Sequence, residues 1–209
     1  MTNKFLNKLK KEEKLKLVEP SEDICNSYSE KSANCLKSAK LLLQNNLYEN
    51  SIGMSYYAMY NLLLALLFRV GIKCENHGGS ILLLKLLYSE DNLYKSISDA
   101  KKERIDKQYY VTTEKDEITK EISDELLANA EDFVLKMKVV IKNLNNDSIE
   151  ELREKFKGLQ IVSKDFDDRL LYEDEELVKG VKESTKEAKA GKGKILKTEK
   201  EMDEYFEAL

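Results

Sequence analysis

One proline, Pro20, and eight glycines are spread over 209 residues. Such a scarcity of breakers excludes a turn-rich architecture and points to a mostly helical chain. The cysteines Cys25, Cys35 and Cys74 are odd in number and lack C-x-x-C spacing. Neither a zinc nor a dithiol redox site is expected from them, only reduced thiols in a cytosolic setting. The longest apolar run, Leu62 to Phe68, falls far short of a spanning helix, so no membrane partner is expected. The basic N-terminal stretch, MTNKFLNKLKKEEKLKL, lacks the apolar core of a signal peptide, which favours a soluble, cytoplasmic protein. No cluster of metal ligands, Gly-rich phosphate loop or nucleophilic triad is visible, so neither metal nor cofactor is expected. A net charge of -4 gives no global argument for nucleic acid, although local basic patches remain.

Against these absences stands Ser51 to Tyr88, around which the chain is organised. Ile52, Tyr56, Met59, Leu63, Leu66 and Val70 recur at steps of three and four, tracing one stripe of a helix that should lie in the core. Gly71 is placed to end it. A polar turn, Lys73 to Gly79, holds the only histidine, His77. Ser80 then caps a second, very apolar helix.

Before this stretch, the lysine- and leucine-rich residues 1–19 read as an amphipathic helix ended by Pro20. Ser27 with Glu30 has capping-box spacing, and a helix with Ala33, Leu36, Ala39 and Leu43 on one face should run to Asn45-Asn46. The short link to the core helix makes the two an antiparallel hairpin. After it, a polar stretch from Ser89 to Lys115 gives way to a helix opened by Thr113, with Ile118, Ile122, Leu126, Ala130, Phe133, Met137 and Ile141 along one face. Ser148 with Glu151 marks a further short helix ending before Gly158. Beyond it an acidic run, Asp165 to Glu176, is followed by a basic one, Lys179 to Lys194. These signals predict an all-α, up-and-down bundle over residues 21–145, for which the four long helices counted suffice. It is preceded by a basic N-terminal helix or arm over 1–20 and followed by a charged helical extension over 146–209, docked or mobile.

Several segments together carry a resemblance: Ser55-Tyr56-Tyr57-Ala58-Met59-Tyr60, then Gly71, then Asn76-His77-Gly78-Gly79, then Arg104 to Tyr110 (RIDKQYY), then Ala130-x-x-Phe133-Val134. In this order they resemble the HEPN family over about Ser29 to Leu144. The resemblance implies a four- to five-helix bundle, frequently a homodimer, often acting as the toxin of a toxin–antitoxin pair or as the partner of a small nucleotidyltransferase. Many such relatives are metal-independent endoribonucleases with an R-x4-6-H motif that works across a dimer interface. Here seven residues separate Arg69 from His77, and no tyrosine stands two positions after the histidine.

The chemistry can be stated from the residues themselves. Metal-free RNA cleavage needs a group of near-neutral pKa to move the 2′-hydroxyl proton and a cation to stabilise the charged phosphorane. His77 alone offers the first, and Arg69 or Lys73 the second. One histidine cannot be both acid and base, so catalysis requires a second copy. Arg104, Ser55, Tyr56 and Tyr110 are the remaining candidates for substrate contact, with Arg104 and Tyr110 able to reach the same pocket as His77. The alternatives are plain: His77 as a turn residue bonding nearby backbone, Tyr56, Tyr57 and Tyr60 as core aromatics, and Ser55 bonding its own helix. Function is expected to be either an RNA-directed toxin-like activity or a non-catalytic module binding a nucleotide or a partner such as an antitoxin or nucleotidyltransferase. A third option is restraint of the pocket by the polarised extension.

Overall fold

Fifteen small and apolar positions make one helix the axis of the fold, in a computed structural model that describes residues 4–109 and 119–159, with backbone only at 4 and 106–109. Among the described residues there are seven helices: α1 (Lys4–Lys11), α2 (Glu22–Gln44), α3 (Tyr48–Val70), α4 (His77–Tyr88), α5 (Asp91–Tyr109), α6 (Lys120–Lys142) and α7 (Asn146–Gly158). Two short strands, β1 (Leu15–Leu17) and β2 (Ile72–Cys74), pair antiparallel with Leu15 opposite Cys74 and Leu17 opposite Ile72. The architecture is all-α, as the breaker-poor composition requires.

α3 is long and apolar enough to cross a membrane, but 72% of its most apolar window is buried within the fold. A core position therefore accounts for its composition. Gly71 ends it in the left-handed region at φ 79°, which costs glycine little. α2 packs closely along it because the facing positions are small. Ser32 Oγ donates to the Ala58 carbonyl at 2.7 Å and Ser51 Oγ to the Ala39 carbonyl at 2.9 Å. α6 adds Leu126, Ala130, Phe133 and Met137 from its core-facing stripe.

Several local expectations are corrected. The N-terminal helix stops at Lys11, and residues 15–17 form a strand instead, their apolar–polar–apolar alternation matching that of Ile72–Cys74. Leu6, Leu9 and Leu15 are buried in the core. α2 is capped by Ser21, whose hydroxyl accepts from Ile24 N, with Glu22 and Asp23 favourably placed in the first turn. Ser27 lies inside this helix and donates back to the Asp23 carbonyl. The cap of α4 is Asn76 rather than Ser80, so His77 is its first residue. Much of the polar stretch after Ser89 is α5, held among its described side chains by three buried positions, Leu93, Ile97 and Ala100. α6 is capped by Thr119; Thr113 and Ile118 lie outside the described residues. α7 opens with a reciprocal capping box between Asn145 and Ser148. Its Ile149 and Phe156 belong to the same core as the bundle, so the boundary expected at 145 falls inside a packed unit. The acidic and basic runs beyond residue 159 lie outside the described residues.

Candidate functional site

His77 is delivered to one place by constraints on both sides. Upstream, β2 is fixed by its pairing with β1, and Glu75 N donates to the Lys14 carbonyl at 2.8 Å. Downstream, Asn76 Oδ1 accepts from Gly79 N at 2.8 Å, which starts α4 and orients its first residue. Gly79 also makes room, since a Cβ there would lie 2.7 Å from a Leu9 methyl and 2.9 Å from Cys74 Sγ.

The ring meets two tyrosines one turn apart on α3. Its Nδ1 lies 2.6 Å from Tyr56 Oη. Its plane stacks on Tyr60 at 3.8 Å between centroids and 13° between planes. Tyr56 is fully buried, and burial pushes its phenol well above the ordinary value, so it stays protonated. Burial likewise pushes the Tyr60 hydroxyl up to about 12, while a hydrogen bond to Ser80 opposes that shift. Ser80 Oγ donates onward to the Asn76 carbonyl at 3.0 Å. The histidine is thus tied to the cap of its own helix through the second tyrosine.

From α5, Arg104 places its guanidinium carbon 5.0 Å from the Tyr57 ring centre and 5.5 Å from that of Tyr56, a cation–π arrangement. Burial, then the charge of Arg104, then that of Lys101, push His77 down to about 4 from its ordinary 6.5. The positive end of α4 acts in the same direction. At neutral pH the ring is therefore uncharged. If Tyr56 donates to Nδ1, Nε2 carries the proton and is a hydrogen-bond donor; if Nδ1–H donates to Tyr56, Nε2 has a free lone pair and is a base. In both tautomers Nε2 is the atom left for chemistry.

The structure brings His77, Tyr56 and Arg104 together and leaves other candidates apart. Arg69 lies nine residues after Tyr60, about two and a half helical turns, and so faces the opposite side of α3. There its charge acts on Cys25 of α2. Lys73 sits on β2 with its ammonium 2.5 Å from Glu75 Oε1. Ser55 is fully buried, and its hydroxyl has no hydrogen-bond partner among the described residues rather than bonding back to its own helix. Tyr110 lies outside the described residues. Sequence reasoning left Lys101 within the polar stretch from Ser89 to Lys115 and did not single it out. It stands three positions before Arg104, a spacing that becomes informative once α5 is known to be a helix.

A cavity of about 560 Å³ lies elsewhere, between α5 and α6, with Lys95, Asp99, Glu103 and Glu125 among its lining residues. Its walls share no residue with the His77 cluster, and its three carboxylates against one ammonium disfavour a phosphate there.

The chain is therefore a helical-bundle domain with a buried tyrosine pair, a histidine at a helix start and an arginine across from it. The family model of the HEPN domain matches residues 26–140, over half of the chain, and the chain belongs to that family. Among curated proteins, none matches it. The match takes in α3, α4, α5 and every residue of the His77 cluster, while α1, β1 and α7 fall outside it.

Proposed function

We propose that this HEPN-family protein acts on RNA as a metal-independent, toxin-like endoribonuclease, and that two copies are needed to complete its site. The observation that carries the proposal is the pinned imidazole. Tyr56 and Tyr60 fix the His77 ring, leaving Nε2 available with Arg104 and Lys101 close enough to bias it. In the cleavage step Nε2 takes the proton of a 2′-hydroxyl, the resulting oxygen attacks the adjacent phosphorus, and the 5′-oxygen leaves. The products are a 2′,3′-cyclic phosphate and a 5′-hydroxyl, the leaving oxygen taking its proton from the second copy or from water. An approaching phosphodiester anion raises the proton affinity of the ring, offsetting the depression seen in the free protein. Arg104 stabilises the developing charge, and Arg69, turned away within its own chain, contributes from the partner copy.

A second reading is favoured by one observation. The low proton affinity of His77 suits a stacked, uncharged binding wall better than a base working near neutrality. On that reading the protein is a non-catalytic nucleotide- or protein-binding module partnering a nucleotidyltransferase or an antitoxin. Mixing His77→Ala and Arg69→Ala proteins in equal amounts separates the two. If Arg69 acts across the dimer and water protonates the leaving oxygen, heterodimers regain one intact site and cleavage returns to about a quarter of wild type. RNA that is retained but never cut by the wild-type protein supports the binding module.

A further inference from the structure

Three carbonyl oxygens converge where α3 ends, and one side chain from outside the HEPN match meets them all. Nη1 of Arg153, on α7, lies 2.9 Å from the Val18 oxygen, 3.0 Å from that of Val70 and 3.3 Å from that of Gly71. Val70 and Gly71 are the last residue and the cap of α3, whose final carbonyls have no partner within the helix. Val18 follows β1 directly, and its own N–H donates to the Gly71 oxygen at 2.8 Å. A nitrogen with two hydrogens shared among three acceptors is a fork, and a cation at a helix C-terminus is favoured by the dipole. The side chain is only 15% exposed, so these contacts are made largely out of water. α7 is itself anchored: Ile149 and Phe156 are buried, Lys10 lies over the Phe156 ring, and Lys155 Nζ donates to the Leu87 carbonyl near the end of α4 at 2.7 Å.

The clasp lies at the start of the segment that delivers the site histidine. Gly71 leads straight into β2, β2 into Asn76, and Asn76 into His77. The segment is held at its far end by the α4 cap and along its length by β1. We infer that Arg153 is a positioning residue for the candidate site: by tying β1 to the end of α3 it sets the path of β2 and so holds the His77 ring against Tyr60 and Tyr56. Helix α7, outside the family domain, is thereby part of the apparatus that shapes the site within it. The inference concerns the geometry of the site and touches the proposed ribonuclease reading only in its catalytic consequence.

Because His77 is the sole histidine, its imidazole proton resonances in the full-length protein titrate without overlap from another histidine. The charges and hydroxyls facing the ring are Arg104, Lys101, Tyr56 and Tyr60, none of which is altered in the test. In Arg153→Met the ring loosens and gains water, so its midpoint rises from about 4 toward its ordinary 6.5, by about one unit or more. Arg153→Lys, which keeps the charge but not the planar fork, recovers part of that shift. Lys157→Met removes an exposed helix-end cation that pairs with Glu154 of the same α7, and leaves the midpoint where it was. Thermal melts establish that each variant is folded. A folded Arg153→Met protein with an unmoved His77 midpoint overturns the inference. If that variant does not fold, Arg153→Gln is read in its place, and an unmoved midpoint there overturns it equally. The titration is independent of RNA cleavage, so failure of the ribonuclease reading and failure of this inference are separate results.

Discussion

Replacing Gly71 by alanine adds one methyl group where Arg153, Val18 and Pro20 already crowd the backbone. The residue sits at φ 79°, where a side chain costs about 1–2 kcal/mol. The new Cβ would stand 2.2 Å from Arg153 Nη1, 2.5 Å from the Val18 oxygen and 2.9 Å from Pro20 N, so the guanidinium must leave. Its departure forfeits charge-assisted hydrogen bonds at the end of α3, about 1.5–3 kcal/mol at the scale of a single such bond. Together the loss is about 2.5–5 kcal/mol, which for a chain of this size lowers the melting temperature by roughly 5–20 °C. Combining the change with Arg153→Met removes the guanidinium beforehand, so the double variant should be more stable than the sum of the single losses predicts, by about 1.5–3 kcal/mol. Chemical denaturation of the four proteins provides the numbers. A Gly71→Ala protein within about 1 kcal/mol of wild type, or strictly additive losses, would refute the crowding argument.

Other outcomes follow from the same contacts. Arg104→Met should raise the His77 midpoint by less than half of the gap between about 4 and 6.5, because burial is the larger cause of the depression; a proton NMR titration checks this, and a fall would contradict it. The folded pKa of His77 lies below its ordinary value, so the unfolded chain binds the proton first and stability is lost as pH falls from about 6.5 to 4. His77→Asn should flatten that limb by about 1–2 kcal/mol after solvent screening, measured by urea unfolding at pH 7, 5.5 and 4. A chain ending at Asn145 loses Ile149, Arg153 and Phe156 from the packed unit and should melt well below one ending at Leu159; equal melting would show that α7 contributes little. A test of restraint by the extension therefore has to cut after α7 rather than near Asn146.

How much of this was legible in the sequence depends on how local the cause was. The stripe of α3, the Asn45-Asn46 turn and the stop at Gly71 rest on neighbours within a few residues, and they were readable. The pairing of Leu15–Leu17 with Ile72–Cys74 was not, because three-residue strands give a period-two signal too short to separate from a helix. α5 escaped because Leu93, Ile97 and Ala100 form a thin stripe among charged residues. The Ser27–Glu30 spacing misled because the capping-box pattern also occurs inside a helix, where the serine bonds backward. In the site, His77, Tyr56 and Arg104 were selected by chemical type and do meet. Arg69 was selected by its distance along the chain, which says nothing about which side of α3 it faces. Arg153 left no sequence signal, since its Gly71 contact spans 82 residues.

The most direct test of the central claim is digestion of a mixed RNA pool by the full-length protein in the presence of a metal chelator, beside His77→Ala protein shown by circular dichroism to be folded. The account predicts fragments ending in 2′,3′-cyclic phosphate with the wild-type chain, and a loss of at least about 100-fold in His77→Ala. Absence of fragments from the folded wild-type protein, or equal cutting by the variant, would contradict it.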